Sequence, residues 1–259
     1  MPKYIIKIQY DGTGYAGYQI QPNGNTIQEE LEKALRLMAK LPKGEHIPTS
    51  SAGRTDAGVH ALGQVVSFDY PANIAPDALI RALNSILDDS IRVIDANQVA
   101  DDFHVRYMAT AKEYCYRLDI NRFPDPFKRL YTTHHPYRFN LEVMQEAIQT
   151  IVGKHDFTSF CSTKTDKEYK VRTIYEAEVN LDTKQNELIF RFYGDGFLYN
   201  MIRILVGTLL QIGDGLKPVD ELQRLLSVKD RNQAGPTAPP QGLYMMRVEY
   251  QEDPFKKKK

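Results

Sequence analysis

The residues best suited to chemistry lie in one stretch, SSAGRTDAGVHALGQVVSF (50–68). Asp56 stands between Gly53 and Gly58, with Arg54 two residues before it and His60 four after. Glycines on both sides open backbone conformations closed to other residues, so this loop can present a carboxylate at a strand edge. Such an aspartate can serve as nucleophile, general base, metal ligand or loop brace. Bracing through an Asx-turn is the structural alternative. It leaves the neighbouring guanidinium unexplained.

Two more positions stand out. Arg203 lies in GFLYNMIRILVGTLL (196–210), where Leu198, Met201, Ile202, Leu205, Val206, Leu209 and Leu210 cover most of a helix. Its charge either snorkels to the surface along a strip shared with Tyr199 and Asn200, or it pairs with a carboxylate elsewhere. Asp56 is the economical partner, because the pair would keep it ionised in an enclosed site. Tyr114 sits in an alternating segment, where an aromatic ring suits either sheet packing or stacking on a base. Lys112 shares its face, and Arg106, Arg117 and Arg122 are close in sequence. His60 and His104 have no partner at metal-ligand spacing and read as structural histidines.

Several chemistries recede. Gly12 and Gly14 lack the third glycine of a dinucleotide fingerprint, and there is no Walker motif or GxSxG. No cofactor is therefore expected. Cys115 and Cys161 are too few for a disulfide framework and have no CxxC spacing; with six scattered histidines, no metal is expected either. Lys plus Arg and Asp plus Glu are each 33, a net charge of zero. That excludes a broadly basic or acidic chain, yet a nucleic-acid partner stays open, since binding depends on where charges cluster. No segment approaches the ~20 apolar residues of a membrane span. The opening MPKYIIKIQYDG is not a secretory signal, so a cytoplasmic location is expected.

The elements that must position these residues follow from periodicity. Lys3 to Tyr10 alternates as a strand. Thr26 to Glu29 has capping-box spacing ahead of a helical stripe of Ile27, Leu31, Ala34, Leu35 and Met38, which Pro42 and Gly44 stop. Gln64 to Asp69 reads as a strand, then a helix from Pro76 and a strand from Ile91 to Ile94. Asp95 to Asp102 reads as a boundary between two lobes. An alternating strand runs from Thr110 with Tyr114, Tyr116 and Leu118 on one face. A helix from Asn140 ends at Gly153 as its C-cap. Tyr175 to Leu181 and Leu188 to Tyr193 are paired strands. A helix spans Phe197 to Ile212, a shorter one follows Pro218, and Leu243 to Tyr250 is the last strand. Strands with one polar face among amphipathic helices indicate an α+β protein with antiparallel sheet. The expected lobes are residues 1–105 and 106–250, with a solvated Lys-rich tail over 251–259.

The GRTDAGVHA loop (53–61) resembles the signature of the TruA family of tRNA pseudouridine synthases. YDGTGYAGYQIQP, TIQEELEKAL, GQVVSF, ALN, FHVRY, ATAKEYCY, HDFTSF, VRTI, GFLYNMIRILVG and AGPTAPPQGLYM resemble its other blocks, in the family's order. Position 18 is Tyr where the family usually has Trp, and Leu87-Asp88-Asp89 replaces a usual Leu-Pro and polar residue. The resemblance implies a pseudouridine synthase fold: two similar lobes with flanking helices and a central RNA-binding cleft. It implies that Asp56 is the nucleophile, Arg203 its ion-pair partner, Arg54 the residue filling the space left by a flipped base, and Tyr114 the ring against that base. It also places Lys112, His60 and Leu243 among substrate-binding residues. The implied substrate is uridine at positions thirty-eight to forty in the anticodon stem-loop of tRNA, the implied assembly a homodimer, with no cofactor and no membrane. A non-catalytic RNA-binding or chaperone protein on the same fold is the alternative, against which the complete set of Asp56, Arg54, Tyr114 and Arg203 argues. A glycosidic hydrolase normally needs two facing carboxylates, and the loop supplies one.

Overall fold

Alternation in the first ten residues produces β1 (Lys3–Tyr10), in which Tyr4, Ile6, Ile8 and Tyr10 are buried. Ile5, on the opposite face, is buried too, in a second cluster with Ala52, Val65, Val105 and Phe255. The computed structural model describes residues 1–22, 24–165 and 168–256. Helix α1 (Ile27–Met38) starts where the Thr26 hydroxyl accepts the Glu29 N–H, and it buries Ile27, Leu31, Ala34 and Leu35. Each large side chain so buried contributes about 1.5–3 kcal/mol. Next come β2 (Ser50–Ser51), β3 (His60–Asp69), α2 (Pro76–Asn84) and β4 (Ile91–Val99). β1 lies between β3 and β4, antiparallel to both, and β2 pairs with β3. Helix α2 packs against β4 and α1.

The second half holds β5 (Ala109–Asp119), β6 (Thr133–His134), α3 (Leu141–Gln149), β7 (Gly153–Asp156), β8 (Val171–Asp182) and β9 (Glu187–Gly194). β5, β9, β8 and β7 are neighbours in that order, all antiparallel, with β6 parallel to β5. Helices α4 (Met201–Gly213) and α5 (Glu221–Val228) follow, and α3 packs on β8 and α4. Strand β10 (Leu243–Tyr250) is last, and it pairs parallel to β3 with Tyr244 opposite His60. The protein is α+β with largely antiparallel sheet. It divides into two compact units, one of Met1–Thr110 with the chain from Tyr244 onward, the other of Ala111–Leu243.

The differences from the sequence reading have local causes. Asp95 to Asp102 is not a boundary: β4 continues to Val99, pairing residue by residue with β1. The last strand, expected in the second lobe, groups with the first unit, where it pairs with β3. Gly153 does not cap α3, which ends at Thr150; with φ of +109° it starts β7 instead. Helix α4 begins at Met201 because Asn200 is left-handed, with φ of 60°, a conformation asparagine tolerates better than most residues. In the expected tail, Phe255 is buried in the Ile5 cluster. The Lys7 Nζ sits 4.6 Å from its ring centroid, and Asn97 donates to the Pro254 carbonyl at 2.7 Å. Lysines 257–259, the rest of that tail, lie outside the described residues.

No helix among the described residues is long and apolar enough to cross a membrane. Neither cysteine is in a disulfide. Burial pushes the Cys115 thiol up to about 11, far from a reactive thiolate.

Candidate active site

Asp56 is half-buried at the tip of the loop that leads into β3. The backbone around it is fixed from several directions. The Tyr18 N–H donates to the Thr55 carbonyl at 3.0 Å, Gly58 N–H donates to the Tyr15 carbonyl at 3.3 Å, and Val59 N–H closes a turn onto the Asp56 carbonyl at 3.1 Å. From β1, the Tyr10 hydroxyl meets the Thr55 hydroxyl at 2.7 Å in a buried contact. Burial pushes the Tyr10 phenol up to about 12, against the hydrogen bonds of Thr55 and Gln64, so the bridge keeps its proton across the physiological range. On the β3 side, the fully buried Gln64 amide donates to the Gly53 carbonyl at 2.7 Å, and its oxygen accepts the Gly53 N–H at 3.4 Å.

Glycine is required where the two loops touch. A Cβ on Gly12 would lie 2.1 Å from the Val59 carbonyl oxygen. Gly17 has φ of +109°, and its Cβ would lie 2.9 Å from the Thr55 carbonyl oxygen. The GTGYAG segment is thus a bed for the aspartate loop.

His60 is buried, and its Nδ1 accepts the Gly12 N–H at 3.1 Å. The Asp11 carboxylate lies 3.2 Å from the same nitrogen. The ring stacks on Tyr244 with centroids 4.8 Å apart, which joins the loop to β10. This geometry suits bracing. Arg54 is exposed on the same loop.

In the second unit, Tyr114 of β5 is buried, with its ring edge-on to Phe197 at a centroid distance of 5.1 Å and an interplanar angle of 76°. Two residues on, and on the same face, the Tyr116 hydroxyl donates to the Pro239 carbonyl at 2.7 Å and meets the Thr133 hydroxyl at 2.7 Å. Arg203, in the first turn of α4, is half-buried rather than snorkelling freely. Its Nε donates to the Ala238 carbonyl at 2.6 Å and its Nη1 to the Asn200 side-chain oxygen at 2.9 Å. The Ala238 N–H returns a bond to the Arg203 carbonyl at 3.0 Å. Lys112 is half-buried opposite Gly194, and Leu243 is buried at the start of β10.

The structure thus gathers Asp56, Arg54 and His60 on one braced loop, and Tyr114 and Arg203 on β5 and α4 of the other unit. Sequence reasoning passed over Tyr10, Thr55, Gln64, Tyr116 and Ala238. Gln64 carried little signal, since Ser67 in the same GQVVSF segment is polar too; Ala238 carried none, since it acts through its backbone. Among the described residues no group of three or more His, Cys, Asp or Glu side chains is placed to hold a metal ion.

Comparison with known proteins adds an independent line. The family model described as tRNA pseudouridine synthase matches residues 6–108 and 147–251. The tRNA pseudouridine synthase A of Lacticaseibacillus casei (strain BL23) is 50% identical over 250 residues, covering 96% of this chain and all of the relative. That of Latilactobacillus sakei subsp. sakei (strain 23K) is 49% identical over 248 residues, covering 96% of this chain and 98% of the relative. That of Exiguobacterium sibiricum is 50% identical over 252 residues, covering 97% and 98%. With the match running through both units, the chain belongs to the tRNA pseudouridine synthase family.

Proposed function

We propose that this protein converts uridine to pseudouridine at positions thirty-eight to forty of the tRNA anticodon stem-loop, with Asp56 as the nucleophile. Family membership makes it an isomerase that forms pseudouridine in tRNA. The bond from C1′ of the ribose to N1 of uracil breaks, the base turns, C1′ bonds to C5, C5 gives up its proton, and N1 takes one up. Substrate and product have the same atoms, so the chemistry calls for no redox partner and no group donor.

The observation that carries this reading is the rigidity of the Asp56 loop. A nucleophilic carboxylate must meet its target within a few tenths of an ångström. A turn held by Tyr10, Tyr15, Tyr18 and Gln64 supplies that precision. A free aspartate, with a pKa of about 3.9, is already ionised near neutrality. The requirement is to keep it so once water is excluded, as it must be while a detached base is held. In our reading Arg203 does this by pairing with Asp56; the bonds from Ala238 and Asn200 that aim its guanidinium support the assignment.

A uridine in a stem leaves the stack at a cost of a few kcal/mol. Arg54, exposed at the lip of the loop, occupies the vacancy with a planar guanidinium that can stack and donate. Tyr114, steadied edge-on by Phe197, packs against the extruded base, with Lys112 on its face and Leu243 as apolar lining. His60 serves the site through its bracing of Gly12 beside the Asp56 loop. The working form is a cytoplasmic homodimer. Mapping pseudouridine in tRNA from cells lacking this protein tests the assignment. Loss at positions thirty-eight to forty is expected; retention there would overturn it.

A further inference from the structure

We propose that Arg231 is a positioning residue for Arg203, acting through the strap 234–239 that lies along α4. The proposal rests on the reading of Arg203 given above. Arg231 reaches the reaction only through this strap.

The Arg231 guanidinium is half-buried and faces three neutral oxygens of the strap. Nη1 donates to the Gly235 carbonyl at 3.0 Å and the Ala234 carbonyl at 3.4 Å, while Nη2 donates to the Thr237 hydroxyl at 3.1 Å. A planar fork can hold several acceptors in one arrangement, which an ammonium cannot. Burial pulls the Arg231 pKa down from its ordinary value, so the charge is held there at a cost that packing alone would not require.

The strap is seated closely on α4. The Gly235 N–H donates to the Thr208 hydroxyl at 3.0 Å, and that hydroxyl donates to the Ile204 carbonyl at 2.8 Å. A Cβ on Gly207 would lie 1.9 Å from the Pro236 carbonyl oxygen. Beyond Ala238, the Tyr116 hydroxyl holds the Pro239 carbonyl at 2.7 Å. Ala238 is therefore fixed from both ends, by Arg231 and Thr208 on one side and Tyr116 on the other. Its carbonyl is the acceptor that sets the direction of the Arg203 Nε, at 2.6 Å. Loss of Arg231 removes the hold on Ala234, Gly235 and Thr237 and leaves the strap to Thr208, the Arg203 carbonyl and Tyr116, which loosens the aim of the Arg203 guanidinium while it remains on its helix.

The test compares Arg231→Met, Arg231→Lys, Thr237→Val and Arg203→Lys in steady-state pseudouridine formation on unmodified tRNA, with circular dichroism on each. A misplacement of this kind lowers kcat by about ten- to a hundredfold. We expect that loss in Arg231→Met with KM for tRNA unchanged, partial recovery in Arg231→Lys, and a smaller loss in Thr237→Val. Because the effect passes through Arg203, Arg231→Met should add little to Arg203→Lys in the double variant. Wild-type kcat in folded Arg231→Met beside an impaired Arg203→Lys would overturn this proposal alone. So would additive losses, or a loss confined to KM, which would make Arg231 a phosphate contact. Should Arg231→Met fail to fold, wild-type kcat in Thr237→Val would overturn it. Full activity in Arg203→Lys would overturn the Arg203 assignment and the proposal with it.

Discussion

The backbone N–H of Tyr18 donates to the carbonyl of Thr55 at 3.0 Å, tying the aromatic glycine loop after β1 to the residue just before Asp56. The contact is backbone to backbone, so it is independent of the Tyr18 side chain. The ring of Tyr18 is buried, with the Thr49 and Ser51 side chains beside its hydroxyl. The tether therefore does not depend on which aromatic side chain stands at position 18.

That tether requires close approach at Gly17. Its positive φ, and the 2.9 Å that would separate an added methyl from the Thr55 carbonyl oxygen, make Gly17→Ala destabilising by about 1–3 kcal/mol. Gly14, in the same loop, has open space around it, so Gly14→Ala should stay within about 0.5 kcal/mol of wild type. Urea denaturation of the two variants measures the contrast. Equal stabilities would remove the case for close approach.

Gln64→Leu should lower both stability and turnover. It strips the Gly53 carbonyl and N–H of their side-chain partners, a cost of about 1–3 kcal/mol where such groups are poorly solvated. The fall in kcat should exceed any change in tRNA affinity, because the loop is loosened while the binding surface is kept. Thermal melts with filter binding and a turnover assay separate these quantities. Unaltered kcat would detach Gln64 from Asp56.

Much of this arrangement is legible in the residues themselves, and the reasons differ by element. β1 and α1 announce themselves, since a period of two and a Thr26 cap are local signals. β4 is underread because, at the margin of its unit's sheet, it tolerates Asp95 and Asn97, which look like linker. The strand character of 243–250 is local, but Tyr244 pairs with His60, far back in the chain, so the unit it joins is not readable from its own residues. Phe255 is one aromatic among lysines, and only the Ile5 cluster reveals its purpose. Asp56 and Arg203 are conspicuous because charge is rare in their surroundings. Gln64 and Tyr116 pass as ordinary members of alternating strands, and their hydrogen bonds are long-range.

Acid should weaken the second unit through Glu221, which is buried in α5 with Arg224 Nε at 2.6 Å and Lys217 Nζ at 3.2 Å. The Arg224 hydrogen bond, outweighing burial and aided by Lys217, holds its carboxyl below the ordinary value. A depressed folded pKa means the stabilisation is complete above the unfolded pKa of about 4.3 and is lost as pH falls through the folded value. Glu221→Gln should therefore be less stable than wild type at neutral pH, and the gap should narrow below about pH 4.3. Melting temperatures of both proteins from pH 7 downward give the comparison. A gap independent of pH would assign Glu221 to packing alone.

We propose that one carboxylate, Asp56, on a loop braced by its neighbours, is the nucleophile of the isomerisation. Release of tritium from C5-labelled uridine in unmodified tRNA, measured under single-turnover conditions for Asp56→Ala alongside its tRNA affinity, tests this most directly. No release above background is expected, with affinity close to wild type. Release at the wild-type rate would contradict it.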